Sequence, residues 1–179
     1  PSFYTQVGKL PPIYPEWLGD RRFQGCHKLR FPYICGAMAN GISSVELVVA
    51  AAQAGLLAFF GSAGLSYPKV KEAIVSIKKQ LGDKDLSWGS NLIHSPNEPH
   101  LEQALVDLYL KEGVKKISAS AFMQLSPAIV RYACSGLSYD GKTIHRRNRV
   151  FAKISRPELA RQFMSAAPKK ILLHLVKEK

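Results

Sequence analysis

Cysteine is scarce in this sequence: 3 of 179 residues, Cys26, Cys35 and Cys134, scattered and without a CxxC spacing. An odd, dispersed set of thiols argues against a disulfide framework and a structural zinc site, and suits a reducing, cytoplasmic setting. Long apolar runs are missing as well. None approaches the roughly 18–20 residues that a membrane span requires. The opening PSFYTQVGKLPPIYPEWLGD has neither the basic start nor the apolar core of a signal peptide. GxGxxG, a Walker-type loop, HExxH and GxSxG are absent, so the glycines of this chain do not spell a dinucleotide fingerprint. Acidic residues are few, 13 against 25 Lys and Arg, for a net charge of +12. The excess is spread along the chain, with one cluster at His145-Arg146-Arg147-Asn148-Arg149. No module interleaving aromatic and basic residues is visible, so nucleic acid is not the expected partner. A solvated basic surface, phosphorylated small molecules or an acidic protein partner remain.

What is present is a regular alternation. After about 30 residues rich in Pro, aromatics and charge, read as an irregular N-terminal extension, short apolar runs alternate with helical patterns. The runs are FPYICGA (31–37), LLAFFGSA (56–63), LSWGSNLIHS (86–95), VKKISASAF (114–122) and RVFAKIS (149–155). Between them lie SSVELVVAAAQAG, with Ser43 or Ser44 as N-cap and Gly55 as its stop, and SYPKVKEAIVSIKKQLG, with apolar residues at 70, 73, 74, 77 and 81. NEPHLEQALVDLYLKEG and SPAIVRYACSG follow, and RPELARQFM closes the series. Asp140-Gly141 marks a turn inside LSYDGKTIHRRN, a short hairpin or excursion. Five strand-then-helix units imply parallel strands covered on both faces. An open doubly wound sheet and a (β/α)8 barrel both fit the spacing.

In either architecture chemistry gathers at the C-terminal ends of the strands. Those ends carry Gly36-Ala37-Met38-Ala39-Asn40-Gly41, Gly61-Ser62-Ala63-Gly64, Asn91-Leu92-Ile93-His94-Ser95, Ser118-Ala119-Ser120-Ala121 and Lys153-Ile154-Ser155-Arg156. Small residues there serve turns and packing, or let main-chain groups approach a flat ring. Asn91 offers a donor and an acceptor, to a cofactor or as a helix cap, and Ser120 a hydroxyl. Lys153, inside an apolar run, must reach a partner or water. Flat contact, amide-like partners and a cation are the mixture that an isoalloxazine ring asks of its site.

FPYICGAMANGISSVELVVAAAQAGLLAFFGSAGLS, WGSNLIHSPNEPHLEQALVDLYLKEGVKKISASAF and VFAKISRPELARQFMSAAPKKILLHLV together resemble the PfaD-type enoyl reductases of polyunsaturated fatty acid synthases and trans-acyltransferase polyketide synthases. Nitronate monooxygenases are more distant relatives. The resemblance, from about residue 11 onward, implies a (β/α)8 TIM barrel of which residues 31–179 form about the first five units, residues 1–30 standing before it as an extension. It implies FMN at the C-terminal face, NAD(P)H as reductant, and an enoyl chain tethered to an acyl carrier protein among other synthase subunits. Carried over by position, Gly36, Ala37 and Met38 lie against the flavin, Asn91 and Ser120 bind it, and Lys153 faces its pyrimidine edge. His94 is a candidate near the substrate. The family continues through further strands, and its catalytic His is expected beyond residue 179, so the 179 residues are expected to be a fragment that holds FMN weakly. A nitronate-oxidising flavoenzyme and a non-catalytic scaffold element are the alternatives.

Overall fold

Every apolar run becomes a strand, and all five join one parallel sheet in the order in which they occur. The computed structural model describes residues 3, 4 and 7–177. The strands are β1 (Ile34–Cys35), β2 (Leu57–Phe60), β3 (Trp88–Ile93), β4 (Lys116–Ser120) and, after an antiparallel hairpin of β5 (Ser138–Tyr139) and β6 (Ile144–His145), β7 (Arg149–Ala152). Their spatial order is β1-β2-β3-β4-β7. Helices α2 (Val45–Gln53), α3 (Tyr67–Leu81), α4 (Pro99–Glu112) and α5 (Pro127–Cys134) lead from one strand to the next, and α6 (Pro157–Met164) and α7 (Lys169–Lys177) follow β7. A proline in the first turn of α3, α4, α5 and α6 costs no hydrogen bond there, because those amides have no intrahelical acceptor. Ser44, not Ser43, caps α2, accepting the Leu47 N–H at 3.3 Å.

Strand alternation sorts the side chains into two layers. Ala58 and Phe60 face outward onto Val48, Ala52 and Ile77 of α2 and α3. Leu92, Ile117 and Ala119 pack on Ile74, Leu105, Tyr109 and Ile129 of α3, α4 and α5. This covered face supplies most of the burial, and the hydrophobic effect scales with that area.

The opposite face curls inward. In a flat sheet β1 and β7 would stand about four strand spacings apart, roughly 19 Å. Here Lys153, just past β7, donates from Nζ to the Ala37 carbonyl just past β1 at 3.3 Å. Phe151 of β7 meets Phe59 of β2 with ring centroids 5.2 Å apart. Gly89 of β3, in register with Phe59, makes room for that ring, since a Cβ there would lie 2.6 Å from it. The architecture is therefore α/β with a curled parallel sheet.

The stretch 1–30, expected to be irregular, includes a regular element. Asp20 accepts the Arg22 N–H at 2.7 Å and starts α1 (Arg21–His27). The helix places Phe23 and His27 against Phe151, with centroids 6.4 and 5.1 Å apart, so it floors the N-terminal end of the curl. RRFQGCH shows no hydrophobic period, and its aromatic contact with the sheet runs through Phe23 and His27. Helix α7 likewise goes beyond the elements that the sequence pattern predicts.

His27 sits near the inward-facing Lys116 and Arg149, which pair in the strand register. Burial, then those two cations, hold its imidazole below the usual value. The unfolded chain therefore takes up more protons than the folded one as pH falls through about 6.5, and stability falls with it. Urea unfolding from about pH 7.5 down to about pH 5.5 is expected to show a declining midpoint. His27→Phe, which keeps a ring on Phe151 and cannot titrate, should flatten that decline.

Candidate functional site

The rim at the C-terminal strand ends is held by main-chain hydrogen bonds between neighbouring loops. The loop after β1 folds onto the loop after β2: Asn40 N–H donates to the Ala63 carbonyl at 2.7 Å and Gly41 N–H to the Gly61 carbonyl at 2.9 Å. Ser43, fully buried, clamps the turn, donating to the Gly36 carbonyl at 3.0 Å and accepting the Met38 N–H at 2.9 Å. A Cβ on Gly61 would fall 1.7 Å from the Met38 carbonyl oxygen, and one on Gly64 would fall 2.1 Å from Asn40 Oδ1. These two glycines serve close chain packing. Gly36 differs, because a Cβ there would meet nothing within 4 Å. Ala37 presents its carbonyl to Lys153, and Met38 is 45% exposed.

Asn91 is the most constrained residue of the rim. Its Nδ2 donates to the Ser118 carbonyl at 2.8 Å and to Ser120 Oγ at 2.9 Å. Its own carbonyl accepts Tyr109 Oη–H at 2.7 Å and Ser62 Oγ–H at 2.6 Å, while Ser90 donates to the Tyr109 oxygen at 3.0 Å. Burial raises the Tyr109 phenol well above its usual value, so it stays a donor. With both donors of Nδ2 used, Oδ1 is buried and has no partner among the described residues. An orphaned acceptor of this kind is uncommon in a folded protein and costs free energy unless a donor reaches it.

Lys153 brings a cation to the same rim, with the Ala37 carbonyl as its hydrogen-bond partner. It also lines a cavity of about 240 Å³ with Ala121, Phe122, Met123, Arg156 and Leu159. Ala121 has a φ of +60°, a conformation that costs an alanine energy and often marks a functional turn.

The structure thus brings Gly36, Ala37, Asn91, Ser120 and Lys153 to one rim and sets His94 apart. His94 follows β3 but lies among α4, α5 and the loop after β4, its Nδ1 2.8 Å from Glu102 Oε2 and its ring on Phe122. Sequence reasoning missed Glu102 and Tyr109, and had Ser43 only as a possible helix cap and Ser62 only as one of the small residues at a strand end. Glu102 and Tyr109 had a signal: with Leu105 and Val106 they form one i, i+3, i+4, i+7 stripe on α4, the face that packs on the sheet.

Comparison with known proteins places this geometry in a lineage. No family model matches the chain. It is 40% identical over 168 residues to the polyketide biosynthesis protein PksE of Bacillus subtilis, covering 93% of this chain and 22% of that protein. It is 42% identical over 160 residues to a polyunsaturated fatty acid synthase subunit from a Thraustochytrium species, covering 89% of this chain and 11% of that one. The chain thus spans about a fifth or less of the length of these relatives. Among solved structures, the enoyl reductase domain of MlnA from the macrolactin cluster of Bacillus amyloliquefaciens superposes with a TM-score of 0.87 at 36% identity, over 91% of this chain and 37% of that one.

The two kinds of glycine at the rim predict opposite results. Gly61→Ala should destabilise by at least about 1–3 kcal/mol, because the Met38 carbonyl is backbone and cannot swing away. Gly36→Ala should stay within about 0.5 kcal/mol of the parent. Chemical denaturation of the two variants checks both. By sequence and by fold, this chain resembles the PfaD-type enoyl reductases of polyketide and polyunsaturated fatty acid synthases.

Proposed function

We propose that this chain is part of an FMN-dependent enoyl reductase that uses NAD(P)H to saturate enoyl chains carried on an acyl carrier protein, in polyketide or polyunsaturated fatty acid synthesis. Residues 31–179 would be the first five units of a (β/α)8 barrel, with 1–30 preceding them. The observation that carries the reading is the likeness to the MlnA enoyl reductase domain, 36% identical across 91% of this chain. A cytoplasmic setting belongs to the same proposal.

The residues present suit a flavin. Asn91 Oδ1 lacks a donor among the described residues, and a ring N–H would provide one. Gly36 leaves open space where a planar group would rest on main chain. Ser120 Oγ, which accepts from Asn91, still has its own proton to give. Lys153 would offset negative charge on the cofactor, and its one carbonyl partner among the described residues leaves its other two N–H groups available to a ligand. When bound, FMN would supply hydride transfer from NAD(P)H to the β-carbon of the enoyl chain. The protein's share is to hold Asn91 still from behind, through Tyr109 and Ser62, so that its side chain meets the ring without reorganising.

The basic surplus suits acyl carrier proteins if, as the family resemblance implies, they are acidic, and opposite charge speeds encounter. Arg146, Arg147 and Arg149 lie at the start of β7, and Lys153 lies past its end. They would therefore attract a carrier at long range and would not guide its acyl chain into the rim.

The test uses the natural full-length product that carries this segment. A stoichiometric flavin absorbance band and NAD(P)H-dependent reduction of an enoyl thioester are expected. A colourless protein would favour a scaffold role, and oxygen-dependent consumption of an alkyl nitronate in place of the thioester would favour the nitronate-type chemistry. Gly36→Val should lower flavin occupancy about tenfold or more while the thermal midpoint of the flavin-free protein stays unchanged, because only the bound ring would meet the new side chain.

A further inference from the structure

Glu102 is a buried acid, 4% exposed, on the apolar stripe of α4, and its partners extend to the wall of the cavity beside Lys153. Ser126, the N-cap of α5, accepts the Ile129 N–H at 3.3 Å, which leaves its own proton to donate to Glu102 Oε1. Glu102 Oε2 lies 2.8 Å from His94 Nδ1. With both carboxylate oxygens accepting, His94 carries a proton on Nδ1. The main chain is fixed as well, because His94 N–H donates to the Ser120 carbonyl at 2.9 Å.

The ring so held lies nearly flat on Phe122, with centroids 4.9 Å apart and planes at 22°. Phe122 abuts the edge of Phe163 from α6 at 6.0 Å. It forms part of the cavity wall with the strained Ala121, with Met123 and with Leu159, while Lys153 and an exposed pair of Arg156 and Glu158, 3.5 Å apart, stand at the same cavity. A line of contacts therefore runs from Ser126 through Glu102 and His94 to the apolar wall.

We propose that His94 is a positioning residue that sets this wall, and that Phe122, placed by it, selects for a ligand with an unbranched apolar body and a polar end directed at Lys153 and Arg156. The selection half of the inference rests on the proposed enzymatic function; the pin itself does not. The chemistry agrees with the placement. A group whose Nδ1 is tied to a buried carboxylate and whose face is covered by Phe122 is built to stay put, and a fixed aromatic plate discriminates shape at little entropic cost.

The experiment is carried out on the full-length product, labelled with ¹⁵N-histidine. The His94 signal, assigned by its loss in His94→Phe, is expected to show a single tautomer protonated on Nδ1, and Ser126→Ala should broaden it or shift it toward exchange. A ring protonated on Nε2 alone, or a freely exchanging ring, overturns the inference whatever the flavin content. A colourless protein with His94 protonated on Nδ1 supports the pin and counts against the enzymatic reading alone. In the flavin-loaded enzyme, His94→Phe keeps a ring on Phe122 and should hold kcat within about threefold at a lowered thermal midpoint, because Glu102 loses its Nδ1–H donor. His94→Ala, in contrast, should raise KM about tenfold for straight-chain thioesters and relax discrimination against branched ones. A fall in kcat of about 100-fold or more in His94→Phe would mark general acid–base work and overturn the positioning role.

Discussion

Phe59 and Phe151 meet across the inner face of the sheet, and the rest of the rim depends on that meeting. Two aromatic rings projecting from the second and fifth strands of the sheet pull it into a curl, and Gly89 between them removes the side chain that would hold them apart. The curl shortens the distance from the first strand to the fifth until a single lysine bridges their ends. Without it, Lys153 and the turn at Gly36 would be separate features on a flat surface. Helix α1 stabilises the same geometry from below by placing Phe23 and His27 against Phe151. Aromatic packing inside the curl thus determines which polar groups converge at its C-terminal rim.

Much of this was legible in the sequence because the rules involved are local. Near-continuous apolar runs such as LAFF and regular stripes such as Val70, Ala73, Ile74, Ile77 and Leu81 identify strands and helices by period alone, and the structure buries each of them. The hairpin at Asp140-Gly141 was readable from its turn residues. Helix α1 was not, since a short helix with two contact residues has no period to detect. The closing of the sheet was also invisible, because it depends on Phe59 and Phe151, which are far apart in sequence and look like any other strand residues.

The rim divides along the same line. Small residues at strand ends were easy to see, but no sequence pattern separates Gly61 and Gly64, which accommodate a neighbouring loop, from Gly36, which faces open space. That difference arises from how one loop lies on the next, a tertiary fact. Asn91 and Lys153 stood out because a polar group in an apolar strand needs a reason. Tyr109 and Glu102 had the same reason to stand out, being polar groups on a helix stripe that must face the sheet. Polar interruptions of a buried period are informative in helices as much as in strands.

The distribution of polar partners across the sheet bears on what the rim is for. Behind β3, on the helix side, polar groups are closely matched: Ser62, Ser90 and Tyr109 satisfy one another and the Asn91 carbonyl, and Ser126, Glu102 and His94 form a second closed set. On the concave side matching stops. Among the described residues Asn91 Oδ1 has no donor, and Lys153 has a single carbonyl. A fold that commits its side chains so fully on one face of a strand, and leaves both an acceptor and a cation short of partners on the other, has shifted its unmet hydrogen bonds to the side from which a ligand would approach. Rigidity behind and unmet demand in front are two halves of one arrangement, since an orphaned acceptor recognises a donor only if it cannot relax toward water or a neighbour while the site is empty.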